Sequence, residues 1–301
     1  MDDLSGNFKF IMRQDWGHES DVTSGYYGSI LDELPQTTEE IQQVYHPLVQ
    51  KILLLMRKQP QPAPSNRGQS GALPFILGIT GGVSVGKSSV ANTLKELLLA
   101  QERELSVEVL STDGFLFTNQ KLLELGIMHR KGFPESFDYS AIVHFLISLK
   151  TSSKKQSVPT YSHTTYDVTG DKRIIENPDV LILEGLNLLQ SDPAAINREN
   201  PAIKDFLDMC IYLSADEQDI EDWYVSRFLN LCDKAKQNKN SFFNRYSQLS
   251  EEEAREEAKM IWNLINSPNL KENIAPLKNL ADVVLFKAKD HSIWKLAFKE
   301  D

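Results

Sequence analysis

Residues 78–98 read GITGGVSVGKSSVANTLKELL, and this stretch constrains the fold more than any other. Gly81, Gly86, Lys87 and Ser88 match the spacing GxxxxGK[ST] of a phosphate-binding loop, after the apolar segment FILGIT and before a leucine-rich helical pattern. Glycines let successive backbone N–H groups turn toward one point, and the following helix adds the positive end of its dipole. The sequence therefore predicts a site for nucleotide phosphates between a buried strand and a helix.

Further short apolar segments predict strands, and helical patterns lie between several of them. We expect strands at 75–80, 107–112, 179–185, 208–214 and 281–287, and helices at 38–57, 87–101, 216–231 and 250–266. Strands that alternate with helices form a parallel sheet between two helical layers. The fold prediction is an α/β P-loop NTPase-type parallel sheet flanked by helices on both faces, with an N-terminal helical extension.

The chain before residue 75 differs from the rest in composition. The helix predicted at 38–57 has one apolar face, and we expect Pro47 to kink it. Residues 58–74 have the Pro, Gln, Ser and Gly content of a linker or surface loop. We divide the chain into residues 1–74, a helical extension with a Pro-rich loop packed on the core to cover its apolar face, and residues 75–301, the P-loop core.

Charge and cysteine content exclude several classes of function. A net charge of −10 and a pI near 5.2 argue against a surface for nucleic acid or anionic lipid. Cys210 and Cys232 form no CxxC pair, the first residues lack the basic and apolar regions of a secretory signal, and the apolar runs are too short to span a bilayer. We expect a cytoplasmic protein without nucleic-acid or membrane partners.

Two carboxylates follow predicted strands, where they could take part in phosphoryl transfer. That reaction needs a base for the acceptor hydroxyl, a metal ion, and cations where negative charge develops. Asp113 follows the second apolar strand in LSTDGF, and Glu184 closes VLILEG, the place of a Walker B-type carboxylate near Mg²⁺. An ordinary Asp-Gly turn explains Asp113 equally well, and a solvated helix face explains Tyr224 and Arg227.

A polar, aromatic segment lies between these two strands. YSHTTYD contains Tyr161, His163 and Tyr166, which suit hydrogen bonding to a small polar substrate. A histidine beside a tyrosine is by itself more often structural than catalytic. No spacing of Cys, His or carboxylates indicates a zinc site, and no Ser-His-Asp arrangement can be argued from the sequence.

Six segments together resemble the bacterial type I pantothenate kinase family. They are GGVSVGKSS, STDGFLFTNQ, GIMHRKGFPESFDYS, YSHTTYDV, LILEGLNLLQ and WYVSRFL, in order along residues 75–301. KGFPESFD and LILEGLN are more specific than the phosphate loop. The resemblance implies a P-loop kinase that forms homodimers and transfers a phosphoryl group from MgATP to the primary hydroxyl of pantothenate, giving 4'-phosphopantothenate, the first step of coenzyme A biosynthesis.

The resemblance also implies roles for individual residues. Asp113 is implied as the base, with Lys87 on the ATP phosphates and Arg227 on the transferring phosphoryl group, while Ser88 and Glu184 lie near Mg²⁺. The implied ATP contacts are Gly81, Gly82, Val83, Ser84, Val85, Gly86, Lys87, Ser88 and Ser89, with His291 at the adenine. The implied pantothenate contacts are Tyr161, His163, Tyr166, Tyr224 and Asn266, with Phe228, Leu231, Phe242 and Phe243 as the apolar wall.

One position departs from the family pattern. The family carries an arginine shortly after the loop lysine that is implicated in feedback inhibition by coenzyme A, and here that position is Asn92. Because a cation that could pair with coenzyme A phosphates is absent there, we expect weaker inhibition.

Other functions remain open at this point. Uridine kinase and phosphoribulokinase resemble the chain in the phosphate loop and strand order, and an inactive paralogue would keep the same motifs. A non-catalytic nucleotide-binding regulator would not need Asp113 or Arg227, and ATP turnover independent of any acceptor would support it.

Overall fold

The computed structural model describes residues 4, 7–16, 27–59, 73–151, 155–190 and 201–300. The strands in these ranges are β1 Phe8–Met12, β2 Phe75–Gly81, β3 Val107–Ser111, β4 Gln156–Ser162, β5 Asp167–Ile175, β6 Val180–Gly185, β7 Met209–Ser214, β8 Val283–Lys287 and β9 Ile293–Lys299. The α-helices are α1 Arg13–Trp16, α2 Thr38–Glu40, α3 His46–Lys58, α4 Lys87–Gln101, α5 Asn119–Glu124, α6 Tyr139–Thr151, α7 Glu217–Ala235, α8 Glu251–Ile261 and α9 Ser267–Asn269.

Seven strands form one sheet in the order β1-β9-β8-β7-β2-β6-β3. The strands from β8 to β3 are parallel, and β9 and β1 add an antiparallel edge. Along β6, Val180 and Ile182 lie in the hydrophobic cluster on one face, whereas Leu181 and Leu183 lie in the cluster on the other. Burial on both faces explains the continuous apolar runs in the sequence. The predicted α/β fold with a parallel sheet is confirmed, and the sequence analysis did not predict the antiparallel edge formed by β9 and β1.

Helices α4 and α6 cover opposite faces of the sheet. Leu94 and Leu97 of α4 belong to one cluster, and Ile142 and Leu146 of α6 belong to the other. None of the helices in the described ranges combines the length and apolarity that a membrane crossing needs.

Residues 38–58 form one helical stretch interrupted by a wider turn. Helix α2 passes into the π-helical turn Ile41–Tyr45 and then into α3, with Pro47 at the start of α3. The irregularity expected at Pro47 therefore lies in the turn just before it. Val44, Leu48 and Ile52 are fully buried in the main cluster, so this stretch packs on the sheet. Residues 60–72 of the predicted Pro-rich loop lie outside the described residues, and the division of the chain at residue 74 stays a prediction.

Among the described residues, the sequence patterns located the strands that pair in parallel and missed those that pair only antiparallel. The five expected strands correspond to β2, β3, β6, β7 and β8, and helices α7 and α8 occupy 217–235 and 251–261, with a π turn at Trp262–Asn266 completing the second. The missed strands are β1, β4, β5 and β9. β1 is an edge strand, and β4 and β5 form a separate antiparallel hairpin whose side chains are mostly half-buried or exposed. Strands of this kind lack the apolar run on which the prediction depended. β9 is mostly buried, but Lys295 interrupts its apolar run.

Candidate active site

The carboxyl ends of the parallel strands open onto one cleft of about 890 Å³. Glu184 on β6 pairs with Ile79 on β2 and with Ser111 on β3, which places it between the phosphate loop and the turn that contains Asp113. Open α/β sheets bind their ligands at this edge. The predicted site residues that line the cleft are Val83, Ser84, Gly86, Lys87, Ser88, Ser89, Asp113, Tyr161, His163, Tyr166, Glu184, Tyr224, Arg227, Phe228, Leu231, Phe243 and His291.

The remaining predicted residues lie around this cleft. Gly81, Gly82 and Val85 are buried in the phosphate loop. Asn266 and Phe242 line a neighbouring cavity of about 570 Å³, which shares a wall of aromatic side chains with the cleft. A hydrogen bond between Asn266 and the Tyr224 side chain connects the two cavities.

The phosphate loop carries a half-buried lysine. Lys87 Nζ donates to the carbonyl oxygens of Gly81 at 3.2 Å and Gly82 at 2.7 Å. Burial lowers the pKa of Lys87, the carboxylates of Glu184 and Asp113 counteract this, and the Arg227 guanidinium adds to it. These mutual effects show that two cations and two carboxylates share one site.

Ser88 and Glu184 form a pair of oxygen donors beside the loop. Ser88 Oγ donates to Glu184 Oε1 at 3.0 Å, and burial raises the pKa of Glu184 while the Lys87 ammonium lowers it. Among the described residues, no three His, Cys, Asp or Glu side chains group as metal ligands. Mg²⁺ beside a nucleotide is held by one or two protein oxygens together with the phosphates, so Ser88 and Glu184 fit such an ion.

A tight 3-10 turn, Thr112–Phe115, presents Asp113. Ser111 Oγ caps the turn by accepting from the Asp113 N–H at 3.3 Å. A Cβ added at Gly114 would lie 2.3 Å from the carbonyl oxygen of Pro159. The turn therefore packs directly against β4, which carries Tyr161, and only glycine allows this approach.

Aromatic side chains form the wall opposite the phosphate loop. Tyr161 meets His163 and Tyr166 edge-on, with ring centroids 5.3 Å and 6.1 Å apart, and Tyr166 stacks on Phe242 at 4.7 Å. Burial lowers the pKa of His163, and Arg227 lowers it further. The wall thus combines hydroxyl groups and a neutral imidazole with apolar ring faces.

Lys131 is a cation of the cleft that the sequence analysis did not single out. Its Nζ donates to Asn119 Oδ1 at 2.7 Å and to the Tyr166 carbonyl oxygen at 2.5 Å, and it lies 4.4 Å from the centre of the Tyr166 ring. Burial lowers the pKa of Lys131 to about 8, opposed by the carboxylates of Asp167 and Asp113. The signal was present, because Lys131 lies inside GIMHRKGFPESFDYS, a motif interpreted as a whole.

His291 lies on an indole ring at the other end of the cleft. Its imidazole stacks on Trp223 with ring centroids 4.0 Å apart and planes 22° apart. Two hydrogen bonds fix the turn at residues 288–291, which carries His291. The His291 N–H donates to the Ala288 carbonyl, and Trp223 Nε1 donates to the Lys289 carbonyl at 3.0 Å. His291 has φ +68°, a left-handed conformation held by these bonds.

Sequence comparison identifies relatives of this chain. A profile of the Phosphoribulokinase / Uridine kinase family matches residues 76–227. The chain is 45% identical over 237 residues to a pantothenate kinase of Agrobacterium fabrum, covering 78% of this chain and 74% of that one. It is 41% identical over 272 residues to a pantothenate kinase of Brucella abortus, covering 90% and 84%.

Solved structures agree on the fold. A kinase structure from a Silicibacter species aligns with a TM-score of 0.57 at 22% identity, covering 76% of this chain and 92% of that one. D-glycerate 3-kinase from Cryptococcus neoformans aligns with a TM-score of 0.52 at 15% identity, covering 83% and 97%. The resemblance inferred from the sequence motifs is confirmed: the chain belongs to the phosphoribulokinase/uridine kinase family and, with its curated relatives, to the pantothenate kinases.

Proposed function

We propose that the protein transfers the γ-phosphoryl group of MgATP to the primary hydroxyl of pantothenate. The observation that carries the proposal is the meeting of a phosphate loop, a carboxylate and a hydroxyl-rich wall in one cleft. The relatives' activity supplies the acceptor. A bare NTPase would have no need for a base such as Asp113 facing a substrate-sized polar wall.

In the proposed reaction, Asp113 accepts the proton of the attacking hydroxyl. Arg227 lies close enough to lower the pKa of Lys87, and together the two cations stabilise negative charge on the transferring phosphoryl group. Mg²⁺, held by Ser88 and Glu184, would neutralise the phosphate oxygens when bound. Lys131, which is sensitive to the charge of Asp113, adds a further cation on the acceptor side.

The acceptor site is proposed to lie between Asp113 and the aromatic wall. Tyr161, His163, Tyr166 and Tyr224 offer donors and acceptors to a substrate with hydroxyls, an amide and a carboxylate, and Phe228 adds an apolar surface. Asn266 acts here through its bond to Tyr224. The stacked His291 and Trp223 rings are proposed as the platform for the adenine, because flat rings favour stacking.

Three further features stay proposals by resemblance. They are a homodimer, a cytoplasmic location consistent with the free thiols of Cys210 and Cys232, and weak control by coenzyme A. Asn92 is exposed on α4, one helical turn after Ser88. Asn92→Arg should therefore strengthen inhibition by coenzyme A in an assay at fixed MgATP, because the guanidinium can pair with its phosphates. Inhibition no stronger than in the parent would refute this explanation.

The test of the function is ADP release with MgATP and no acceptor, pantothenate or uridine. Release that depends on pantothenate is expected. Equal release in all three mixtures would identify an NTPase or nucleotide sensor, and release that depends on uridine would identify a uridine kinase.

A further inference from the structure

A buried lysine lies directly behind the phosphate loop. Lys287 is the last residue of β8, is 7% exposed, and donates from Nζ to the carbonyl oxygen of Val85 at 3.0 Å. A Cβ added at Gly86 would lie 2.8 Å from this Nζ. The ammonium group therefore packs against the glycine that precedes Lys87 in the loop.

A buried carboxylate from the N-terminal helical stretch accompanies this lysine. Glu40 of α2 is 5% exposed, and its Oε1 accepts from the Ile293 N–H at 3.0 Å, at the start of β9. Glu40 and Lys287 each favour the charged form of the other. A lysine is rarely buried without an opposite charge nearby, and the Glu40 carboxylate supplies one, while the bond to Val85 is the contact that fixes the ammonium.

The bond to Val85 has a consequence for the nucleotide side of the loop. The carbonyl of Val85 and the N–H of Gly86 belong to one planar trans peptide and point in opposite directions. A donor that fixes the carbonyl on the buried side therefore turns the N–H toward the cleft, where phosphate oxygens need donors.

We propose that Lys287, bonded to the Val85 carbonyl and with the buried Glu40 carboxylate as its electrostatic neighbour, is a positioning residue that sets the phosphate loop for the nucleotide. The pair makes the N-terminal stretch part of the nucleotide site without touching the ligand. It goes beyond the proposed function, because it concerns how the loop is shaped for any adenine nucleotide rather than which hydroxyl accepts the phosphoryl group.

Binding of MgADP by calorimetry tests this role. Lys287→Met should weaken binding about tenfold or more, the effect of losing one hydrogen bond from a charged donor. The matched control is Lys295→Met, another lysine of the same sheet, 6% exposed, whose Nζ lies 4.3 Å from the centre of the Phe286 ring. Its MgADP affinity should stay within about twofold of the parent.

Steady-state kinetics separate positioning from general damage. Lys287→Met should raise KM for MgATP and leave KM for pantothenate unchanged. Equal weakening of MgADP binding in both lysine variants, or none in Lys287→Met, would overturn the proposal. MgADP binding needs no acceptor, so this result stands even if pantothenate proves not to be the substrate.

A second variant tests the positioning role if Lys287→Met does not fold. Glu40→Gln keeps an acceptor for the Ile293 N–H and removes the charge that faces Lys287. Because the ammonium then loses a nearby negative charge, MgADP affinity should fall about threefold. This is a smaller effect than the loss of one hydrogen bond from a charged donor. An unchanged affinity would contradict the role of the pair.

Discussion

Charged side chains in the cleft act through their effects on one another. Asp113 influences the pKa of Lys87, of Lys131 and of His163, so its carboxylate is the shared electrostatic neighbour of the nucleotide side and the acceptor side. A group in this position is suited to take a proton from a hydroxyl that attacks across the cleft.

Asp113→Asn tests the base directly. The amide keeps the size of the side chain but cannot accept the proton, so kcat should fall about 10²- to 10⁴-fold while MgADP still binds. Asp179→Asn is the control, since Asp179 accepts from Ser106 before the opposite, amino end of β6. A kcat for Asp113→Asn equal to that of the control would remove Asp113 from the mechanism.

The lowered pKa of Lys131 predicts that activity falls at alkaline pH. Its pKa is lowered to about 8, so the ammonium is charged below this pH and loses its proton above it. We expect kcat/KM for pantothenate to fall as the pH rises past 8, and this limb should move to higher pH in Lys131→Arg, because a guanidinium stays charged. If kcat/KM falls at the same pH in Lys131→Arg as in the parent, another group causes the fall. Lys287 is one such group, since its pKa is also lowered to about 8.

Individual residues differ in how well the sequence could point to them. Glu184 stood out because a charge closed an apolar strand. Lys287 follows VVLF in the same way, so the same signal was there and was not interpreted. Lys131 lies inside a quoted motif but is not distinguished within it, and Trp223 carries no local signal, since its stacking partner His291 lies far along the chain.

At the scale of elements, the site is built by close packing between a turn and a hairpin. The turn Thr112–Phe115 carries Asp113, and the hairpin β4–β5 leads into Tyr161, His163 and Tyr166. The backbone contact at Gly114 therefore helps to set the distance between Asp113 and the aromatic wall.

Gly114→Ala should separate these two elements. The new Cβ would lie 2.3 Å from the Pro159 carbonyl oxygen, so the hairpin must move away from Asp113. We expect a loss of about 10²-fold in kcat/KM for pantothenate, as for a misplacement of about 1 Å, with MgADP affinity retained. Gly170→Ala on the same hairpin is the control, because nothing lies within 4 Å of its added Cβ. Equal kinetics in the two variants would show that the contact does not set the site.

Elements differ in predictability for a physical reason. The phosphate loop, α4 and the buried strands follow from local patterns, because burial on both faces demands continuous apolar runs. The hairpin does not, because its strands lie outside the main sheet and half exposed. Its place over Asp113 depends on contacts such as Gly114 with Pro159, which no local pattern contains.

At the scale of the whole molecule, the N-terminal stretch is joined to α4, the helix that follows the phosphate loop, by a largely buried polar network. Tyr27 Oη lies 2.6 Å from His46 Nδ1, and Gln101 Nε2 at the end of α4 lies 3.3 Å from the same nitrogen. The Gln101 amide nitrogen can only donate, so Nδ1 is the acceptor and the His46 proton is on Nε2. The sequence predicted a covered helix face here, but not this polar contact.

The network makes the free energy of unfolding depend on pH. Burial lowers the pKa of His46 below its usual value near 6.5. Unfolded His46 therefore binds a proton at a pH where folded His46 does not. Its contribution to stability is complete above pH 6.5 and is lost as the pH falls toward the folded pKa.

Urea unfolding at pH 7.5, 6.5 and 5.5 measures this dependence. Stability should fall across the series, and the decline should be smaller in His46→Gln, which cannot take up the proton. His163 and His291 share the direction of the pKa shift, so part of the decline should remain in that variant. His144→Gln, at an exposed position on α6, should keep the decline of the parent. A decline in His46→Gln as steep as in the His144→Gln control would show that the junction between the N-terminal stretch and α4 does not respond to acid.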